Sequence, residues 1–405
     1  MNDLPVSQEL PALLAALSQG HDLVLSAPPG GGKSTLVPPA LLDQDWCQGK
    51  VLVSQPRRLA AQALARRVAQ LRGGQLGDEV GYAVRFDRQI SATTRLAFLT
   101  AGLLLRRLHH DPFLDGVSAV VLDEFHERSL DTDLALALLR QVKAQARADL
   151  RLIIMSATLD AAPLLQALPN AVHCTAEGRQ FPVSIEHQRP NDKPLHAQVA
   201  TAAARALKSD GKVLAFLPGV GDIERCRTAL SKGCSADVLP LHGRLPKAEQ
   251  ARALDPNPRP AIILATTIAQ TSLTIDGVHT VIDAGLARRP IFDTRLGLTR
   301  LTTGPISRAS AEQRAGSAGR TGPGHCVRLW SQADHQQRRP FDAAEIADAD
   351  LCSAVLQLLS WGEDPQLFAW FEAPPQAHVL QAAALLSDLG ACDATGRLTP
   401  LGRQL

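Results

Sequence analysis

The chain has 405 residues, 45% of them apolar and 20% charged, and its 42 Lys and Arg against 40 Asp and Glu leave a formal net charge of +2. That length exceeds one ordinary core and implies two domains with a smaller third unit, and the composition excludes an intrinsically disordered chain. A charge so near neutrality names no partner. A nucleic acid would need a local basic groove, for which Arg57-Arg58, Arg66-Arg67 and Arg106-Arg107 are candidates.

From the N-terminus, DLVLSA (22–27), KVLVSQ (50–55), VSAVVLDE (117–124) and RLIIMSAT (151–158) read as short apolar strands separated by amphipathic helical patterns. This rhythm predicts an α/β domain, a parallel sheet with helices on both faces. After GRQFPVSIEH (178–187) it restarts with KVLAFLPG (212–219), AIILATT (261–267) and HTVIDAG (279–285), which predicts a second, tandem α/β domain. From about Phe341 the pattern turns helical: LCSAVLQLLSWG and HVLQAAALLSDLG carry apolar residues at three- and four-residue spacing, and DATGRLTPLG reads as a turn or wing. The expected divisions are 1–177, 178–340 and 341–405.

The seven cysteines are odd in number and form no C-x-x-C pair, which argues against a disulfide framework and a zinc site and suits a reducing cytosol. No run approaches eighteen apolar residues and no basic region precedes an apolar one. Neither a membrane span nor an export signal is therefore expected, and the location expected is cytoplasmic.

Two motifs follow predicted strands, at the carboxyl ends where ligands of such sheets bind. SAPPGGGKST (26–35) is a glycine-rich turn between a strand and a helix. Gly30, Gly31 and Gly32 let backbone N–H groups approach phosphate oxygens, Lys33 supplies a charge to the β- and γ-phosphates, and Ser34 offers a hydroxyl to Mg²⁺. The usual first glycine of this motif is Ala27. In AVVLDEFHERS (119–129) a four-residue apolar run delivers Asp123 and Glu124 to a strand end. One carboxylate can hold the shell of Mg²⁺ and the other can polarise water, as metal-assisted phosphoryl transfer requires.

With these stand PRRLAA (56–61), LTAGLLLR (99–106), SATLD (156–160), FLPG (216–219), ATTIAQTSLTIDG (265–277) and QRAGSAGRTGPG (313–324). In this order the set resembles the DEAH-box group of superfamily 2 helicases, specifically the bacterial HrpB branch, where Phe125 and Ala27 are ordinary. The resemblance implies two tandem RecA-like domains closing on ATP, then a small winged-helix-like segment and the start of a helical domain. Nucleotide would be bound by Gly30, Gly31, Gly32, Lys33, Ser34, Thr35, Arg67 and Asp276, with Arg67 stacking on the base and Leu254 where some relatives have a facing aromatic. Loose discrimination among nucleoside triphosphates is expected from that leucine.

Ser34 and Asp123 would hold Mg²⁺. Glu124, His126, Gln313 and Arg320 would serve hydrolysis, Gln313 positioning water and Arg320 acting as an arginine finger. Ser156 and Thr158 would couple hydrolysis to motion. Single-stranded nucleic acid, RNA foremost and DNA as the other candidate, would be gripped through its backbone by Arg57, Arg58, Thr100, Gly102, Thr266, Ser272 and Thr274. With aromatics only 4% of the chain, backbone tracking suits the composition better than a train of stacked bases. The match ends at RLTPLGRQL, short of the family's usual end, so a fragment or truncated product is expected.

Four positions depart from the family: Ala101 and Gln270 replace Glu, Thr267 replaces Asn, and Ser317 replaces an arginine directed at the γ-phosphate. Two readings therefore stand, an active helicase or translocase and a nucleotide-gated clamp with weak turnover. A small-molecule kinase would leave the second α/β unit unexplained.

Overall fold

The computed structural model describes residues 4–405 except 29, 158–159, 178–180, 190, 208–210, 232–235, 256–258, 271–274, 321 and 394, with the backbone alone at 247. Its first half is built on strands β1 (Asp22–Ser26), β2 (Lys50–Gln55), β3 (Val80–Val84), β4 (Asp87–Gln89), β5 (Leu96–Thr100), β6 (Val117–Leu122), β7 (Arg151–Ser156) and β8 (Ala171–Thr175). Among the described residues they form one eight-stranded sheet in the order β4-β3-β5-β2-β6-β7-β1-β8. All pairings are parallel except the β3–β4 hairpin.

The central strands are continuous apolar runs because both faces of the sheet are covered. Leu23, Leu25, Val51, Val53, Val121 and Ile153 point to a core shared with α1 (Pro5–Ser18), α2 (Lys33–Leu41) and α3 (Arg58–Leu71). Their neighbours Val24, Leu52, Val120, Leu122 and Ile154 point the other way, to α4 (Ala101–His110), α5 (Leu130–Gln145) and α6 (Ala162–Ala167). The registers bring strand ends level: Gln55 lies opposite Thr100, and Ser26 opposite Ser156.

The β3–β4 hairpin turns through Arg85 and Phe86. Phe86 has φ 67°, is 88% exposed, and carries the Arg85 guanidinium 4.8 Å from its ring. Beside it Asp87 anchors the hairpin by accepting from the Tyr82 hydroxyl at 3.1 Å and Gln62 at 2.6 Å.

The second sheet, six-stranded among the described residues and parallel, runs β11-β12-β10-β13-β16-β9. Its strands are β9 (Val183–His187), β10 (Lys212–Phe216), β11 (Asp237–Leu241), β12 (Ala261–Ala265), β13 (Val278–Asp283) and β16 (Gly324–Arg328). One face packs on α7 (Leu195–Ala206) and α8 (Val220–Leu230). The other packs on residues from α9 (Lys247–Ala253) and α10 (Arg308–Ala315). A separate two-stranded sheet, β14 (Leu286–Asp293) and β15 (Leu298–Pro305), follows β13 in the chain, and α11 (Gln332–Gln337) follows β16.

The C-terminal segment holds α12 (Cys352–Trp361) and α13 (Gln376–Asp388), packed on each other through Val355, Val379 and Leu386. Its Ala354 and Leu358 belong to the α4–α5 core of the first sheet. The chain thus forms two units. One comprises Met1–Gly178, Pro290–Arg300 and Ala343–Leu405, the other Arg179–Arg289 and Leu301–Asp342. Among the described residues no helix is long and apolar enough to cross a membrane.

Candidate functional site

In the first unit β1 gives way to the glycine turn, and α2 begins at Lys33. Gly32 caps that helix at φ 90°, a left-handed conformation that strains a residue with Cβ, and a Cβ here would also crowd Leu4 at 3.0 Å and Leu36 at 3.1 Å. Val6 of α1 donates to the Gly31 carbonyl at 3.1 Å and pins the turn from outside. Gly31 is buried, Gly30 exposed, and Ser34 and Thr35 half-buried on the first turn of α2.

The Lys33 ammonium lies 3.0 Å from Glu124 Oε1, with both side chains at least nine-tenths buried. Asp123 follows β6, its amide bonded to the Ser54 carbonyl of β2. Its carboxylate accepts from Gln55 Nε2 at 2.6 Å and from the Glu124 amide at 2.8 Å. Burial, then the neighbouring Glu124 charge, push the Asp123 carboxyl up to about 6. Gln55, wholly buried, was not singled out in the sequence; its place just before PRRLAA at a strand end was the available signal.

Glu124 has φ 52° and ψ 37°, and Arg128 φ 47° and ψ 46°; between them runs the short turn Phe125–Glu127. His126 Nδ1 lies 3.5 Å from Glu124 Oε2 and 3.3 Å from Ser156 Oγ, so this ring joins the carboxylate to the end of β7. Burial lowers its pKa and favours the neutral ring. Thr158 lies outside the described residues.

In the second unit Gln313 and Arg314 lie on α10, both buried. Arg314 is 1% exposed and neither a basic face nor a projecting finger: it pairs with the fully buried Asp283 at 2.8 Å, and its guanidinium lies 5.0 Å from the Phe216 ring. Gln270 accepts from Arg314 Nε at 3.0 Å while its amide nitrogen donates to Ser310 Oγ at 2.8 Å and Gln313 Oε1 at 3.2 Å. The Ser310 hydroxyl donates to the Asp342 carboxylate at 2.5 Å. A glutamate at 270 would set two carboxylates on that single hydroxyl proton, which gives the family departure a local reason. Ser317, 4% exposed, lies in the turn Gly316–Gly319, and its hydroxyl finds no partner among the described residues. Arg320 follows that turn, half-buried.

Residues 8–166 match the DEAD/DEAH box helicase family, 198–322 the helicase conserved C-terminal domain, and 382–405 the winged-helix helicase associated domain (HA2). The chain is 44% identical over its whole length to the ATP-dependent RNA helicase HrpB of Escherichia coli (strain K12), covering 51% of that protein. The crystal structure of the Escherichia coli DEAH/RHA helicase HrpB superposes with a TM-score of 0.93 at 43% identity, over 99% of this chain and 52% of that one. The chain belongs to the DEAD/DEAH box helicase family.

The family extends to eukaryotes. The probable ATP-dependent RNA helicase DHR2 of Saccharomyces cerevisiae is 37% identical over 99% of this chain and 57% of its own. The chain thus spans about half the length of these relatives.

The other positions that a helicase of this family would use lie as follows. Arg57 and Arg58 open α3 after β2; Arg58 is exposed, and half-buried Arg57 pairs with Glu127 at 3.4 Å. Thr100 ends β5 level with Gln55, and Gly102 is exposed on the first turn of α4. Arg67 is exposed on α3. In the second unit Thr266 follows β12 half-buried, Asp276 is exposed, and Leu254 packs against the core at the end of α9. Ser272 and Thr274 lie outside the described residues.

Proposed function

We propose that the chain is an NTP-driven motor, an ATP-dependent helicase or translocase acting on single-stranded nucleic acid, RNA foremost. The supporting observation is the buried pair of Lys33 and Glu124 at 3.0 Å, beside the glycine turn. A triphosphate in that turn would take the Lys33 ammonium for its β- and γ-phosphates and free Glu124 to act as general base on water. His126 would carry the change at Glu124 to Ser156. Gln313 and Arg320 of the second unit would orient the water and offset charge when the two units close. Arg57, Arg58, Thr100, Gly102 and Thr266 would hold the nucleic-acid backbone. Cysteines outside any C-x-x-C pair suit work in the cytoplasm.

Mg²⁺ fits the donor set, because the Ser34 hydroxyl, on the first turn of α2, and the buried Asp123 carboxylate at the end of β6 are hard oxygen ligands. When bound it compensates phosphate charge; the protein supplies the two oxygens and leaves the remaining positions to phosphate and water. Buried, uncharged Ser317 at the place of an arginine favours a second reading, a nucleotide-gated clamp with weak turnover.

Steady-state ATPase with and without single-stranded RNA and DNA separates the two. A motor is stimulated by nucleic acid and loses turnover in Lys33→Ala. Nucleic-acid binding gated by ATP without turnover leaves the clamp, and ATPase undiminished in Lys33→Ala would overturn both.

A further inference from the structure

We infer that the C-terminal segment is a working part of the nucleotide site: Glu345, Phe371 and Glu372 are positioning residues that hold the turn carrying Glu124 and His126. The inference rests on Glu124 being the residue that activates water.

The turn is bracketed by two non-glycine residues in the left-handed region, Glu124 and Arg128. An L-residue leaves that conformation unless its surroundings over-determine it. Here the surroundings come from more than two hundred positions later in the chain. The Phe125 ring, 1% exposed, meets the Phe371 ring edge to face, centroids 5.5 Å apart at 76°. The Arg128 guanidinium grips Asp133 at 2.7 and 2.9 Å, reaches Glu372 at 2.8 Å, and lies 4.8 Å from the Phe371 ring. The Arg128 carbonyl accepts from the Glu345 amide at 3.0 Å, while the Glu345 carboxylate accepts from the Leu130 amide at 2.9 Å.

Aromatic, ionic and backbone contacts from one segment thus converge on Phe125, Arg128 and Leu130, and the ring at 125 makes the first of them possible. An alanine there, as in the motif that names the group, would remove the ring that Phe371 meets edge to face. Linkage makes the coupling mutual: whatever the segment does to the turn, a change at Glu124 does to the segment.

The test uses the full chain as parent, Phe371→Ala, Phe371→Tyr, Glu372→Gln and the double variant Phe125→Ala/Phe371→Ala. One readout is the kcat and KM of ATP hydrolysis; the other is amide hydrogen exchange across 123–130, where Glu127 and Arg128 donate to Glu124 and Phe125. In Phe371→Ala and Glu372→Gln, kcat falls about three- to tenfold at unchanged KM and exchange quickens across 123–130 but not in the glycine turn. Phe371→Tyr, which keeps the ring, restores both readouts, and the double variant is no worse than Phe371→Ala. Parental kcat and local exchange in Phe371→Ala overturn the inference, as does faster exchange spread over the whole first sheet. A parent without ATPase instead overturns the proposed function, and the local exchange then decides the inference alone.

Discussion

Glu124 combines a strained backbone with a buried charge partner, so shape and basicity can be separated there by chemistry. Glu124→Gln keeps the side-chain outline and an oxygen for Lys33 but removes the carboxylate proposed as the proton acceptor. Nucleotide binding should survive, measured by calorimetry, while turnover falls by about 10²- to 10⁴-fold in single-turnover hydrolysis. At Asp123 the argument concerns pH. With its carboxyl pushed up to about 6, the group is protonated below that value and ionised above it. If Asp123 holds Mg²⁺ as proposed, a proton would compete for the same oxygen, so Mg²⁺-dependent nucleotide affinity should weaken as pH falls through about 6, by roughly tenfold per unit once the acid form dominates. Calorimetry a unit either side, with Mg²⁺ and with EDTA, reads the difference.

Helix α10 shows what an arginine-rich motif does when its element is packed. Arg314 is bound on all sides, and removing it strands the fully buried Asp283 without its cation. Arg314→Ala should cost about 3–5 kcal/mol, read as a large drop in the second unit's denaturation midpoint. Its partners were not legible in the sequence, because spacing on one helix cannot report what Asp283 and Gln270, far away in the chain, bring against it. The same limit runs through the fold. KVLVSQ was legible to the residue as β2, since a central strand buried on both faces is a continuous apolar run. Edge strands β8, AVHCT, and β11, DVLPL, escaped notice because one side of each is solvent and the apolar run breaks. The hairpin strand β15, LTRLTTGP, is exposed along most of its length and has no core pattern to read. The glycine turn and DEFH were legible because each chemistry needs its residues consecutive. Gln55 beneath Asp123 and Phe371 against Phe125 were not, since register and tertiary packing alone create them.

At the scale of the molecule, a net charge of +2 leaves no general attraction for nucleic acid, so binding must come from local cations such as exposed Arg58. Affinity for single strands should fall linearly on a log–log plot against salt, with a slope of about −0.7 for each phosphate neutralised. Homopolymers of different base should share one slope in fluorescence anisotropy. A preference for one short sequence that persists at high salt would contradict backbone tracking. The grouping of 343–405 with the first unit also means that its core is closed by Ala354 and Leu358, contributed from beyond the second unit in sequence.

Phe86 is a residue that folding by itself would not choose. It is an aromatic in solvent, at φ 67°, in a turn whose strands are already anchored by Asp87. Replacing it by glycine removes a left-handed β-carbon, asparagine tolerates that conformation better than phenylalanine does, and either gives up little packing, a gain of roughly 1 kcal/mol that a thermal melt can read. A library sorted only for endurance at high temperature would therefore drift away from phenylalanine at 86. A library sorted for the chain's work would reveal whether anything pulls it back.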